Sequence, residues 1–218
     1  MLTINAKAPD FTAVTTEGPM RFHEWMGSAW CVLFSHPKDF TPVCTTELGE
    51  VARRKPEFDR RNCKVAGLST DTLDRHVDWA VDIKRLTGYA PNFPIIADAE
   101  LAVSKLYGML PADAPAAGGN RTAADNATVR TVFIICPKKV IRLAMAYPMS
   151  TGRDFDEILR ALDSVQLTMC ASVATPVNWR PKEDVIILPN ISDEEARGLF
   201  PGGWRADAPY MRVVPQPQ

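Results

Sequence analysis

The sequence predicts an α/β domain on a largely parallel sheet, followed by a small α+β extension. Three observations carry this. Short apolar runs alternate with helical periods between residues 30 and 107, and two further apolar strands flank Pro137-Lys138-Lys139. After Thr168 the chain becomes punctuated by Pro176, Pro181 and Pro189. A chain of 218 residues, 46% apolar, buries one full core and has length to spare for an appended domain.

Taken in order, Trp30 to Phe34 is an unbroken apolar run before Ser-His-Pro, the pattern of a strand buried on both faces. Glu47, Leu48, Val51, Ala52 and Phe58 give helical spacing, with Pro56 expected to kink or end the helix. Lys64 to Ser69 reads as the next strand. Beyond Thr70-Asp71, the residues Leu73, Val77, Ala80, Val81 and Leu86 predict a helix that Gly88 closes. Pro94 to Ala97 is a further strand and Leu101 to Tyr107 a further helix. Residues 111–127, rich in Ala, Gly, Asn and Asp, read as an exposed loop. Val129 to Ile135 and Val140 to Ala146 predict a hairpin, and Arg153 to Val165 a helix. In the tail, Val185 to Leu188 is a strand, and Ser192-Asp193-Glu194-Glu195 forms a capping box for a short helix. The domains are therefore expected at 1–167 and 168–218. A tail of about 50 residues buries little alone, so it is expected to pack on the main domain or on a second subunit.

Lys and Arg number 25 against 26 Asp and Glu, which leaves no electrostatic footprint for nucleic acid or an anionic membrane. Lys7 and Asp10 interrupt the N-terminal segment, so no signal peptide or anchor is expected, and a cytoplasmic location is. The five cysteines, 31, 44, 63, 136 and 170, contain no C-x-x-C pair and their odd number does not suit a secreted disulfide framework. Cys31 and Cys136 read as core residues and Cys63, after Arg60-Arg61-Asn62, as exposed. His23, His36 and His76 share no ligand spacing, so metal binding carries little weight and His76 reads as an ordinary helix residue.

Chemistry concentrates where the first buried strand hands over to a helix, in Pro37-Lys38-Asp39-Phe40-Thr41-Pro42-Val43-Cys44. Thr41 suits the N-cap and Pro42 the first helical position, which puts Cys44 third in the helix. A free cysteine is a few per cent thiolate at neutral pH, and the thiolate is the nucleophile. The helix N-terminus contributes about 0.3–1 kcal/mol toward ionisation, up to about 2 when partly buried, and a nearby cation would supply the rest.

The stretch Ser35-His-Pro-Lys-Asp-Phe-Thr-Pro-Val-Cys-Thr-Thr-Glu47 resembles the peroxidatic motif of the peroxiredoxins, in their one-cysteine subfamily. Thr128-Val-Arg-Thr131, Tyr147 through Asp156, Val173-Ala-Thr-Pro-Val-Asn-Trp179 and the closing Pro-Gln-Pro extend the likeness along the chain. The resemblance implies a thioredoxin-like fold with a small C-terminal α+β extension and a peroxidase of hydrogen peroxide and organic hydroperoxides in antioxidant defence. It implies that Cys44 cycles through sulfenic acid, that Thr41 positions the peroxide, and that Arg130 favours the thiolate and stabilises the departing oxygen. Pro37 matches a residue that shields the sulfur from water; His36, Glu47 and Arg153 match supporting neighbours. No cofactor or metal is required. The implied partners are an external thiol reductant of unknown identity and a second subunit in a homodimer or a larger ring.

Two departures matter. Some one-cysteine relatives also hydrolyse phospholipid esters through a serine, a histidine and an aspartate; here Ala29 stands at the serine position, with Ser28 beside it, His23 matches, and Lys138 replaces the acid. Two-cysteine relatives carry a resolving cysteine where this chain has Val173-Ala-Thr-Pro176; Cys170, four residues before Ala174, is a candidate to reach Cys44 of a partner subunit in its place. A redox-sensitive chaperone is the non-enzymatic alternative.

Overall fold

The computed structural model describes residues 1–112, 114 and 127–217. The expected loop at 111–127 lies, apart from 111, 112, 114 and 127, outside the described residues. The chain forms two compact units, Met1–Phe155 and Asp156–Gln218.

In the first unit the elements are β1 (Thr12–Thr15), β2 (Gly18–Arg21), α1 (Phe22–Met26), β3 (Trp30–Ser35), α2 (Pro42–Arg60), β4 (Cys63–Ser69), α3 (Leu73–Thr87), β5 (Ile95–Ala97), α4 (Ala102–Tyr107), β6 (Arg130–Ile135) and β7 (Ile141–Tyr147). One seven-stranded sheet runs β2-β1-β5-β4-β3-β6-β7. The strand–helix alternation yields parallel pairing only where it operates, between β3 and β4 (Val32 opposite Val65) and between β4 and β5 (Leu68 opposite Ile96). The other pairings are antiparallel, because β1–β2 and β6–β7 are hairpins laid on either side. The sheet is therefore mixed, not largely parallel. All six residues of β3 are buried, as its unbroken apolar run demands, and Leu33, Ala66, Ile96 and Phe133 join one core with Phe22, Met26, Tyr107 and Ile141.

Pro56 does not end α2, which continues to Arg60. A proline removes the bond to the carbonyl four residues back, and that carbonyl, of Ala52, instead accepts from Asn92 Nδ2 at 3.2 Å. Asn92→Ala is expected to cost about 1 kcal/mol by urea denaturation. In a Pro56→Ala background the restored helical amide takes over the Ala52 carbonyl and the loss shrinks; equal losses in both backgrounds would contradict this account.

Along α3 the expected apolar stripe is not the buried face. Val77, Val81 and Leu86 are each more than half exposed, and the residues turned inward are His76, Trp79 and Ile83. Hydrophobic identity misled because two of these inward residues carry polar atoms that find partners: Trp79 Nε1 donates to Thr45 Oγ1, and both ring nitrogens of His76 are engaged. Gly88 closes the helix in the left-handed region at φ 83°.

α5 (Phe155–Cys170) begins two residues after the expected start and runs past Val165 to Cys170. The second unit adds β8 (Val173–Ala174), β9 (Val185–Ile187), α6 (Asp193–Leu199), β10 (Arg205–Ala208) and β11 (Met211–Val214). Its antiparallel sheet, β10-β11-β9-β8, closes over Trp179, Val185, Ile187, Ala196 and Val214. The capping box at Ser192 and Glu195 is present with both of its hydrogen bonds.

Candidate active site

The carboxyl end of β3, the start of β6 and the first turn of α2 meet around Cys44. Pro42 occupies the first helical position and Thr41 the N-cap, with φ −119° and ψ 148°, so Cys44 lies third in the helix as its spacing predicts. The Thr41 hydroxyl does not bond the helix amides; Oγ1 donates to Lys38 O at 2.9 Å. With its single proton committed there, the oxygen has only lone pairs left to offer a further partner.

Cys44 is fully buried, and Arg130 Nη1 lies 3.3 Å from its Sγ. The same nitrogen bonds Glu47 Oε2 at 2.6 Å, while Nε and Nη2 both donate to Met149 O, at 2.9 and 2.6 Å. Arg153 closes the other side of Glu47: its backbone N–H and Nε bond Oε1 at 2.8 and 2.9 Å and Nη2 bonds Oε2 at 2.7 Å. Arg153 Nη1 ties this group to the ends of β3 and β6 through Ser35 O and Thr131 O, and its guanidinium stacks 4.8 Å from the Phe34 ring. Burial works to raise the Glu47 pKa, but the Arg153 and Arg130 guanidiniums overcome it and hold the carboxyl below its usual range. Two guanidiniums against one carboxylate leave an excess positive charge beside the sulfur.

Residues 4–144 match the AhpC/TSA family, and residues 164–211 match the C-terminal domain of 1-Cys peroxiredoxin. The chain is 46% identical to peroxiredoxin-6 of Gallus gallus over 226 aligned residues, covering 100% of this chain and 99% of the relative. The chain belongs to the 1-Cys peroxiredoxins. It is 46% identical to a mitochondrial peroxiredoxin of Saccharomyces cerevisiae, covering 98% of this chain and 80% of that protein. Among solved structures, peroxiredoxin 6 of Arenicola marina superposes with a TM-score of 0.90 at 41% identity, covering 100% of both chains. Peroxiredoxins are thiol-dependent peroxidases with antioxidant function, and the thioredoxin-like fold with a small C-terminal domain expected from the sequence is borne out.

Of the residues singled out in the sequence, this peroxiredoxin gathers Cys44, Glu47, Arg130 and Arg153 into one hydrogen-bonded cluster, with Thr41 one turn away at the cap. As isolated letters, Arg130 and Arg153 read as surface residues; they are 2% and 7% exposed. Pro37 and His36 are buried at the start of the loop, where His36 Nε2 bonds Asp39 Oδ1 at 2.8 Å. His76, from α3, meets the same carboxylate, with Nδ1 2.5 Å from Oδ2. Burial favours a neutral Asp39, but the hydrogen bonds from His36 and His76 outweigh it and bring its pKa down to about 2. Burial lowers the pKa of His36.

Sequence spacing did not link His36 to His76, because 40 residues separate them; His36-x-x-Asp39, a turn-length spacing, was the readable part. Donor atoms of His36, Asp39 and His76 lie within 4.8 Å of one another, a set of metal-ligating type, here joined by hydrogen bonds. Cys63 is not exposed as expected: it opens β4 opposite Trp30, is 2% exposed, and burial pushes its thiol up to about 12. Among the described residues no helix is long and apolar enough to cross a membrane.

Proposed function

We propose that Cys44 is the peroxidatic residue, that Arg130 and Thr41 act on the peroxide with it, and that an external thiol regenerates it. The observation that carries this is the 3.3 Å approach of Arg130 Nη1 to Cys44 Sγ inside a buried cluster with excess positive charge. The thiolate attacks the terminal peroxide oxygen; the O–O bond breaks, sulfur keeps the hydroxyl as sulfenic acid, and the alkoxide or hydroxide leaves and takes up a proton. Arg130 stabilises the charge that grows on the departing oxygen. Thr41 Oγ1, its own proton given to Lys38 O, accepts the peroxide O–H and aligns the O–O bond with sulfur. Glu47 and Arg153 hold Arg130 in place, while Pro37 and His36 close the loop over the sulfur.

Reduction falls to an outside thiol because the cysteines of the main unit are poor resolving groups. Cys31, Cys63 and Cys136 are all buried; burial pushes the Cys31 and Cys63 thiols up, and at Cys136, where burial is outweighed by hydrogen bonds from Arg142 and the backbone that lower the thiol, the side chain is fully covered by its neighbours. Cys170 is exposed. A solved yeast mitochondrial 1-Cys peroxiredoxin, 44% identical with a TM-score of 0.89, is described as resolved by glutathione and thioredoxin systems, and both are candidate reductants here. β7 is an edge strand of the seven-stranded sheet, and pairing it with its copy in a second chain gives a two-fold homodimer.

Thr41→Val keeps the side-chain volume and deletes the hydroxyl. It is expected to slow oxidation by hydrogen peroxide by about 10²-fold, measured as a second-order rate by stopped-flow fluorescence. An unchanged rate would exclude the role given to Thr41.

A further inference from the structure

Behind the loop that joins β3 to α2 lies a buried set of polar groups, of which the peroxidase roles above use His36 alone. Asp39 is at its centre. Its side chain takes His36 Nε2 at 2.8 Å and His76 Nδ1 at 2.5 Å, and His76 Nε2 reaches Ile96 O at 3.3 Å on β5. Its backbone N–H donates to Asp71 Oδ2 at 2.9 Å, and the same oxygen accepts from Ser69 Oγ at 3.0 Å. Asp71 Oδ1 is held by Arg75 Nε at 2.8 Å. The side chains of Asp39, Asp71, His36 and His76 are all fully buried.

The N–H that Asp71 grips belongs to the peptide unit whose carbonyl is Lys38 O, the acceptor of the Thr41 hydroxyl. That unit is planar and rigid, so holding one end fixes the direction of the other. The next residue, Phe40, is forced into the left-handed region at φ 56°, a conformation that persists only where its surroundings over-determine it. We infer that Asp71, Asp39 and His76 are positioning residues for peroxide binding: together they fix the 38–39 peptide, and through its carbonyl they aim the Thr41 hydroxyl. The inference rests on the role proposed for Thr41.

If the clamp acts through Thr41, its loss matters only while the hydroxyl is there to be aimed. The test is a double-mutant cycle read as the second-order rate with hydrogen peroxide. Asp71→Ala is expected to slow the wild-type reaction by about 10- to 100-fold, the scale of a displaced reacting group, but a Thr41→Val protein by less than about 3-fold. Asp71→Asn keeps an oxygen acceptor for the Asp39 amide and is expected to recover most of the rate, whereas Asp71→Leu, which fills the space without an acceptor, is expected to stay as slow as Asp71→Ala. His76→Gln, which loosens Asp39 without touching the 38–39 peptide, is run through the same cycle and carries the test if Asp71→Ala does not fold. Equal losses in both backgrounds, or no loss in either clamp variant, would overturn the inference while leaving Thr41 its role. A Thr41→Val protein as fast as wild type would remove both.

Discussion

Arg130→Met is expected to slow the reaction of Cys44 with hydrogen peroxide by about 10²–10³-fold, the usual cost of deleting a donor aimed at developing negative charge. Two losses combine in that figure. The variant removes a guanidinium that lies 3.3 Å from Sγ and leaves Glu47 and Arg153 as a neutral pair, so the sulfur loses the excess positive charge beside it. In the proposed mechanism the attack also loses the group that meets the leaving oxygen. Arg130→Lys is not expected to rescue the rate, because a single ammonium cannot bond Met149 O, Glu47 and the sulfur together in the planar fork that the guanidinium supplies. Stopped-flow tryptophan fluorescence gives the rate, and ultraviolet absorbance of the thiolate shows how much of the loss lies in ionisation. A variant that keeps both rate and thiolate fraction would contradict the role.

Arg153→Met is expected to have the largest effect on stability, about 3–5 kcal/mol, as for other broken buried ion pairs. Arg153 satisfies both oxygens of Glu47 and also bonds the carbonyls of Ser35 and Thr131 at the ends of two core strands. Methionine fills similar space but deletes the hydrogen bonds to those two carbonyls and leaves Glu47 dependent on Arg130 alone. Urea denaturation of the purified variant measures the loss; a change below about 1 kcal/mol, the worth of an ordinary surface pair, would mean that the cluster is less buried in solution than its geometry implies.

The part of the first unit from β3 to α4 was legible because its strands carry short apolar runs, Trp30 to Phe34 above all, and α3 ends on a glycine. Trp30 to Phe34 could only be a strand covered on both faces, and Gly88 and Ser192 sit where their conformations are needed. Pairing direction was less legible. Helical crossovers imply parallel neighbours, but nothing in the apolar pattern of Val132 to Ile135 says which edge of the sheet it will join. The site was readable where a motif is continuous, from Pro37 to Glu47, and for Arg130 and Arg153 only through family likeness, since an isolated arginine ordinarily reads as surface. His76 escaped because its partner Asp39 is 37 residues away and its own helix offers no sign that an imidazole, not Val77, faces inward.

The most direct test of the account compares wild type with Cys44→Ser by stopped-flow fluorescence at several hydrogen peroxide concentrations, using the chain's five tryptophans as reporters. The expected result is a fast phase, first order in peroxide, that is present in wild type and absent from the variant. A reaction as slow as that of a free thiol, and indifferent to the loss of Cys44, would contradict it.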